Sequence, residues 1–245
     1  SLPTAQQKLL RAITAYERGD VATVVEVRTW LGQRDEPGRE GIVARAERLV
    51  GTKPMPPARV QALQRADVAG GDLVAVDALL DAGDMAAARA VVDKWGDPSS
   101  HPLRALRAAR LLRYEGKSSE AESALDVAAP TQPALVERVL IEADKADERA
   151  HARSMLDARF GEDRFYYEAY LLALDDKMPA AQKLLDGLPV PGDDAPLARR
   201  VAAALAFGAV DDKDRGRELV RRLASTWPRN PDVERARRAI ESRRR

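Results

Sequence analysis

The chain contains 245 residues, and its forty basic and thirty-nine acidic side chains leave a formal net charge of +1. This balance excludes a whole-molecule field that would draw the chain to nucleic acid or to an anionic membrane, so any charge-driven recognition must be local. The absence of cysteine excludes disulfides, thiolate zinc sites and a cysteine nucleophile. Aromatic residues make up only 4%, and β-branched runs are short and lie inside helical patterns, which predicts an all-α protein.

No apolar run reaches the length of a membrane span, and the N-terminal SLPTAQQ lacks the basic and hydrophobic regions of a signal peptide. We therefore predict no transmembrane segment in this chain. The lack of cysteine does not decide between cytoplasm and bacterial periplasm, and the compartment stays open with the cytoplasm slightly favoured. The opening serine suggests a processed or excised chain, in which case an anchor or catalytic domain lies outside it.

Apolar residues recur at helical spacing in short segments that glycine, aspartate and proline separate. The clearest pair of segments lies between Pro102 and Pro133, where Ser118 and Ser119 are expected to cap the second helix. The least regular pair has three prolines in its turn, within residues 54–57. In chain order we predict helix pairs at residues 3–19 with 21–31, 40–50 with 58–69, 73–84 with 85–97, 102–114 with 118–129, 134–146 with 149–161, 163–176 with 179–189, and 197–212 with 214–228.

The C-terminal stretch predicts a lone helix that begins at Asn230-Pro231. Val233, Ala236 and Ile240 share one face, and arginines occupy the other near the helix C-terminus, where the helix dipole favours positive charge. We expect this helix to cap the last apolar face of the array. The alternative is that its arginines contact nucleic acid or an anionic lipid surface.

A small residue recurs in the middle of successive second helices, with spacings of 33, 31, 29 and 35 residues. These residues are Ala88, Ala121, Ala152, Ala181 and Gly216. An apolar residue follows four places later in four repeats, at Leu125, Leu156, Leu185 and Val220, and Pro133 and Pro228 close two of them. The mean spacing of 32 is close to the roughly 34-residue tetratricopeptide period. On these residues the chain resembles the tetratricopeptide repeat (TPR) family.

The resemblance implies a right-handed α-solenoid of about seven antiparallel helical hairpins with a C-terminal capping helix. It divides the chain into irregular N-terminal hairpins of the same solenoid (1–71), TPR-like repeats (72–230) and a basic capping helix (231–245). The chain departs from the family pattern because it lacks the consensus tryptophan and Leu-Gly of the first helix. Ala109 and Ala204 stand where that glycine would lie. Another α-solenoid of helical pairs, or a globular helical domain, is the alternative fold.

Candidate catalytic residues are few. His101 is predicted in a loop beside a proline and His151 in a helix, and they do not form a pair with metal-ligand spacing. The sequence contains no phosphate-binding loop and no nucleophile elbow. We therefore expect no enzymatic activity, cofactor, metal or small-molecule substrate, and nucleic acid is not an expected partner.

In the TPR family, ligands usually lie in the concave groove that the first helices line, and the resemblance suggests which residues would meet a partner here. A row of three arginines spaced by three would lie on one helix, and two tyrosines four apart on another. Guanidinium groups beside rigid aromatic rings suit an extended peptide with a carboxylate or phosphate group. The predicted partner-binding residues are Arg107, Arg110, Arg113, Tyr166, Tyr170, Asp77 and Asp81, with Glu137 and Asp144 flanking them.

Each part of this prediction has a structural alternative. The arginine row is also typical of a solvated helix face, on which the charges could pair with Asp and Glu of the adjacent helix. The tyrosines are also typical of packing between the fifth and sixth hairpins. The family's carboxylate clamp, which uses Lys and Asn side chains, is not matched, because Asn230 is the only asparagine.

Taken together, these features predict a non-enzymatic scaffold that binds a protein or peptide partner. One alternative is a regulatory or sensory arm of a larger protein, such as a bacterial kinase or transcription regulator. The other is a self-associating structural component of an envelope assembly.

Overall fold

The computed structural model describes residues 4–32, 34, 36–65, 70–210 and 212–242. Within these residues it contains fifteen α-helices and no strand, which confirms the all-α prediction. The helices are α1 Thr4–Arg18, α2 Val21–Leu31, α3 Arg39–Val50, α4 Pro57–Leu63, α5 Gly71–Ala82, α6 Met85–Val92, α7 Pro102–Tyr114, α8 Ser118–Val127, α9 Gln132–Ala143, α10 Arg149–Ser154, α11 Asp163–Leu174, α12 Met178–Leu185, α13 Leu197–Ala209, α14 Lys213–Thr226 and α15 Pro231–Ser242. Short 3₁₀ turns lie at 93–95, 98–100 and 158–160.

Most predicted helix pairs are found, because turn residues separate them sharply. The second helix of the second pair is shorter than predicted, since α4 ends at Leu63; residues 66–69 of that prediction lie outside the described residues. The predicted helix over 149–161 is wrong beyond Ser154. There Asp157 is extended, and its carboxylate accepts the backbone N–H of Arg159, which starts a separate 3₁₀ turn.

The predicted serine cap of α8 is also wrong. Ser118 and Ser119 already lie in the first turn, and the N-cap is Lys117, whose side chain makes no capping hydrogen bond. Gly116, at φ +78°, reverses the chain so that the backbone N–H of Lys117 returns to the carbonyl of Leu112. The helix therefore begins one residue earlier than a serine cap would allow.

The recurring small residues lie where paired helices come close together. Each of the four alanines (Ala88, Ala121, Ala152 and Ala181) is fully buried. Gly216 of α14 packs on α13, where an added Cβ would lie 3.0 Å from the carbonyl carbon of Phe207. The spacing detected in the sequence therefore marks the positions at which a larger side chain would separate two helices.

The hydrophobic core continues across residue 71. One cluster joins Tyr16 of α1, Val24 of α2, Ala46 of α3 and Leu63 of α4 to Val74 of α5. The N-terminal hairpins therefore share buried surface with the helix that opens the 72–230 segment. A larger cluster extends from α9 to α15. The division at residues 71 and 230 stays a prediction.

The predicted apolar face of the C-terminal helix α15 packs inward, since Val233, Ala236 and Ile240 are buried. Ile240 packs on α13, where its Cγ1 atom lies 3.0 Å from the position of a Cβ at Gly208. The outward residues Arg237 and Arg238 pair with Glu234 and are largely exposed. At its other end α15 also reaches α5, α7 and α9, which the sequence did not predict.

The turn that leads into α15 leaves no room for a side chain at Gly83. This glycine follows α5 at φ +74°, and an added Cβ would lie 1.9 Å from the carbonyl oxygen of Arg229. We expect Gly83→Ala to destabilise the protein by about 3 kcal/mol or more, since left-handed strain and a backbone clash add together. Urea unfolding at pH 7 would measure the loss.

Gly116→Ala is the matched control for this prediction. Gly116 follows α7 at φ +78°, but an added Cβ there meets nothing within 4 Å. Only the backbone strain of about 1–2 kcal/mol applies. Equal losses for the two variants would contradict the close approach of the α15 turn to α5.

Candidate functional site

The first helices of the five N-terminal helix pairs, α1, α3, α5, α7 and α9, contact one another around a common centre. Contacts join α1 to α3, α3 to α5, α5 to α7 and α7 to α9, and α1 also contacts α9. Each of these helices contributes polar side chains to the centre. We call this group the central ion-pair network; it consists of the carboxylates Glu17, Asp77, Asp81, Glu137 and Asp232 and the guanidinium groups of Arg48, Arg107, Arg110 and Arg113.

Arg107 lies at the most buried end of the network. Its Nη2 atom donates to Glu17 Oε1 at 3.1 Å and to Asp77 Oδ2 at 2.8 Å. Tyr16 donates its hydroxyl to the same Asp77 oxygen at 2.8 Å. These bonds connect α1, α5 and α7 through groups that are almost wholly removed from water.

Asp81 holds two arginines at the middle of the network. Arg48 Nε donates to Asp81 Oδ2 at 2.8 Å, and Arg110 Nη2 donates to Asp81 Oδ1 at 2.8 Å. Arg48 also donates from Nη1 to the hydroxyl of Tyr16 at 3.1 Å. One carboxylate therefore ties α3 to α7.

Arg113 forms the other end of the network, where α15 enters. Its Nε donates to Glu137 Oε2 at 2.6 Å, and its two terminal nitrogens donate to the two oxygens of Asp232 at 2.7 and 2.9 Å. The Tyr114 hydroxyl donates to Asp232 at 2.7 Å. This bidentate pair is the strong geometry for arginine and carboxylate.

Side chains at the start of α15 also donate hydrogen bonds to backbone carbonyls at the C-terminal ends of α5 and α9. Asn230 Nδ2 donates to the carbonyl of Asp81, and Arg235 Nη1 donates to the carbonyl of Leu140, at 2.8 and 3.1 Å. Both acceptors are among the last four carbonyls of their helices, which lack intrahelical partners. Asn230 Oδ1 accepts the backbone N–H groups of Asp232 and Val233, and so caps α15 itself.

The network shifts the pKa values of its members. Burial alone would raise the pKa of Asp77, but the charges of Arg107, Arg48 and Arg110 outweigh it and lower that pKa to about 2. Burial would likewise raise the pKa of Asp232, and the charge and hydrogen bonds of Arg113 lower it well below the ordinary value. Both carboxylates are therefore ionised at neutral pH.

A small cavity opens between these helices. It has a volume of about 60 Å³ and is lined by Tyr16, Glu17, Arg48, Asp77, Leu106, Arg107, Arg110, Pro133 and Glu137. We call it the inner cavity. At roughly 10–15 Å³ per water, it has room for about four water-sized groups. Arg110 uses its Nε and Nη2 in hydrogen bonds, and among the described residues its Nη1 has no acceptor.

Five predicted partner-binding residues come together in this network. Arg107, Arg110 and Arg113 share one face of α7, and Asp77 and Asp81 of α5 lie opposite them. The row is not an open, solvated surface, because its charges pair with carboxylates of neighbouring helices. Of the five, only Asp77, Arg107 and Arg110 line the inner cavity. Binding of a partner by these residues stays a prediction.

The predicted tyrosines lie elsewhere, so the structure does not form the single arginine-tyrosine surface that we expected. Tyr166 packs edge-on against Phe207 of α13, and its hydroxyl donates to the carbonyl of Pro189 at 2.6 Å. Tyr170 is buried in the same core. The inward face of α11 packs on α13, which explains why these rings serve the core rather than the cavity.

The two acidic residues predicted to flank the site, Glu137 and Asp144, also lie in different places. Glu137 lines the inner cavity, whereas Asp144 lies at the end of α9, exposed and paired with Arg235. His101 Nδ1 accepts the backbone N–H of Leu103 and so caps α7. His151 Nδ1 lies 2.8 Å from Glu142 Oε2. Across the described part of the chain, no group of three or more His, Asp or Glu side chains is placed to hold a metal ion.

Sequence reasoning missed five polar members of the site: Tyr16, Glu17, Arg48, Tyr114 and Asp232. Tyr114 is four residues from Arg110 and on the same helix face, so spacing could have found it. Glu17 and Asp232 lie 90 and 119 residues from their arginines. No local pattern connects them.

No helix in the described ranges is both long enough and apolar enough to cross a membrane, as we predicted. Comparisons with protein-family models, curated proteins and solved structures give no match to this chain.

Proposed function

We propose that this chain is a non-enzymatic interaction module that holds a segment of a protein partner at the inner cavity. In this proposal the helical pairs are TPR-like repeats of a right-handed solenoid, and the inner cavity is the narrowest part of its concave side. The recurrence of buried small residues at Ala88, Ala121, Ala152, Ala181 and Gly216 supports repeats of that type.

The observation that carries the proposal is the inner cavity. Helices α1, α3, α5, α7 and α9 all contribute to its lining, so a group bound there contacts the inner face of five helices at once. Its walls combine charged groups with the apolar side chains of Leu106 and Pro133. Most of the lining residues are polar, so a group bound there would be held mainly by fixed hydrogen-bond donors and acceptors.

The unpaired N–H donor of Arg110 indicates which chemical group of a partner would bind in the inner cavity. Arg110, like Arg48 and Arg107 of the lining, binds a carboxylate, but its Nη1 lacks an acceptor among the described residues. A carboxylate or amide side chain has the acceptor oxygen that this donor requires, and it fits a space of about 60 Å³. We therefore infer a peptide segment that inserts one acidic or amide side chain.

A cavity-filling substitution tests this function without breaking an ion pair. Leu106 lines the inner cavity and is 8% exposed. We expect Leu106→Phe to reduce capture of the native partner by about tenfold or more, because the ring occupies the space of the inserted side chain. Affinity purification from the native cell, with quantitative mass spectrometry, would measure capture.

Leu106→Met is the matched control, because it conserves side-chain volume and leaves the cavity open. Both variants should retain cooperative thermal unfolding, with a cost of about 1–3 kcal/mol for the overpacked phenylalanine. Equal capture by the folded Phe and Met variants would rule out the inner cavity as the partner site.

A further inference from the structure

Arg200 is a buried cation that makes no ion pair with a carboxylate of the described residues. It lies in the first turns of α13 and is 3% exposed. Among the described residues, no carboxylate oxygen lies within 4.0 Å of its guanidinium group. The acidic residues Asp193 and Asp194 of the preceding loop act on it only from a greater distance, and Asp193 pairs instead with Arg222 at 3.2 Å.

The hydrogen bonds of Arg200 are incomplete as well. Its Nη2 atom donates to the carbonyl of Gly51 at 3.3 Å, and Nε, which is out of contact with solvent, has no acceptor within the described ranges. Burial lowers the pKa of Arg200 from its ordinary value. A guanidinium group presents a planar fork of donors, and here the buried Nε of that fork has no acceptor among the described residues.

The contrast with Arg107 shows that this is unusual for the chain. Both side chains are buried, but Arg107 contacts two carboxylates and uses every nitrogen in a hydrogen bond. Removing a lone charge from water is costly unless a counter-charge is close. The fold therefore retains at Arg200 a group that makes the unliganded protein less stable.

One further arginine acts on Arg200, beside the more distant carboxylates of Asp193 and Asp194. Arg222 of α14 acts on it electrostatically, and its own Nε is buried without an acceptor. Lys53 lies two residues after Gly51, the residue that Arg200 contacts, and the same 51–55 loop borders Trp227, whose indole N–H also lacks an acceptor. Arg200 of α13 and Arg222 of α14 thus each keep a buried Nε without an acceptor among the described residues, and Arg200 contacts the loop after α3.

We propose that Arg200 is the centre of an oxyanion-binding site, formed where the loop after α3 meets α13 and α14, that takes a carboxylate or phosphate group. Two oxygens of such a group match the donor fork of arginine in a bidentate arrangement. The anion supplies both the missing counter-charge and an acceptor for Nε. This site is separate from the inner cavity, whose lining does not include Arg200, and it does not depend on the proposed function.

The test compares thermal unfolding of the full chain in sodium phosphate, sodium acetate and sodium chloride at equal ionic strength. We expect phosphate or acetate, at saturating concentration, to raise Tm by roughly 5 °C above the value in chloride. A response to phosphate alone assigns the site to phosphate groups, and a response to both assigns it to oxyanions in general. Equal Tm values in all three salts would overturn the proposal.

Arg200→Met and Arg199→Met separate the site from general charge effects. We expect Arg200→Met to raise Tm in chloride by a few degrees and to abolish the response to oxyanions, since a buried lone charge is replaced by an apolar side chain of similar length. Arg199 lies beside Arg200 on α13 but pairs with Asp163 of α11 at 2.7 Å, so Arg199→Met should keep the response. An unchanged response in Arg200→Met would also contradict the proposal.

A direct measurement does not depend on the stability of the variant. The ¹⁵Nε–H resonance of Arg200 in the wild-type chain, assigned by its loss in Arg200→Met or by selective labelling, should shift saturably on titration with phosphate. A resonance that does not move while phosphate raises Tm would place the anion elsewhere.

Discussion

Arg107→Met is expected to lower the free energy of unfolding by about 3–5 kcal/mol, because it removes the cation from a buried ion pair and leaves its partners charged. The side chain of Arg107 is 3% exposed, and those of Glu17 and Asp77 are 8% and 9% exposed. Glu17 has no other cation within ion-pair distance among the described residues. Urea unfolding at pH 7, followed by circular dichroism, would measure the loss.

Arg221→Met is the control for this prediction. Arg221 pairs with Glu218 on α14 through a geometry similar to that of the buried pairs, but the two side chains are 73% and 53% exposed. Exposed pairs contribute at most about 1 kcal/mol. A loss of similar size for both variants would contradict the burial that the structure gives to Arg107.

Burial of the arginine row also limits how it can be tested for binding. Replacing Arg110 and Arg113 with glutamate would test partner capture only if the fold stayed intact. Arg113 lies between Glu137 and Asp232, so a glutamate there would place three carboxylates together in a buried site. We expect that variant to unfold, and its loss of capture would not report on binding.

The helices could be predicted from the sequence because their signals are local. The spacing of apolar residues and the glycines at 19, 83 and 116 placed α1, α5 and α7 close to their observed ends. The end of α10 was predicted too late, because Asp157 accepts the backbone N–H of Arg159 and starts a separate 3₁₀ turn, which a pattern of apolar residues does not register.

The site could be predicted only in part, for a related reason. The spacing of Arg107, Arg110 and Arg113 places them on one face of α7, but it does not identify what lies opposite. That depends on α1 and α15 reaching the same centre, at sequence separations of 90 and 119 residues. For Arg200 the sequence gives no signal at all, because the lack of a paired carboxylate matters only once the side chain is known to be buried.

Acid is expected to weaken the fold steeply between about pH 4 and pH 2. Asp77 has a pKa of about 2 in the folded chain against an ordinary value of 3.8, so the unfolded chain binds more protons in this range. Its contribution is therefore complete above about pH 4 and is lost as the pH falls towards 2. The shift corresponds to roughly 2 kcal/mol for this group alone, and Asp232 is shifted in the same direction.

Urea unfolding at a series of pH values between 7 and 2 would measure this dependence, and Asp77→Asn provides the comparison. The amide does not ionise, so we expect the variant to be less stable at pH 7 yet to lose about 2 kcal/mol less than the wild type between pH 4 and pH 2. The difference between the two curves isolates one carboxylate of the central ion-pair network. Parallel curves would show that Asp77 titrates at its ordinary pKa, and would contradict its close pairing with Arg107. If the free energy of unfolding of Asp77→Asn falls less steeply with pH than that of the wild type, the charges that join α1, α5 and α7 make the fold sensitive to acid.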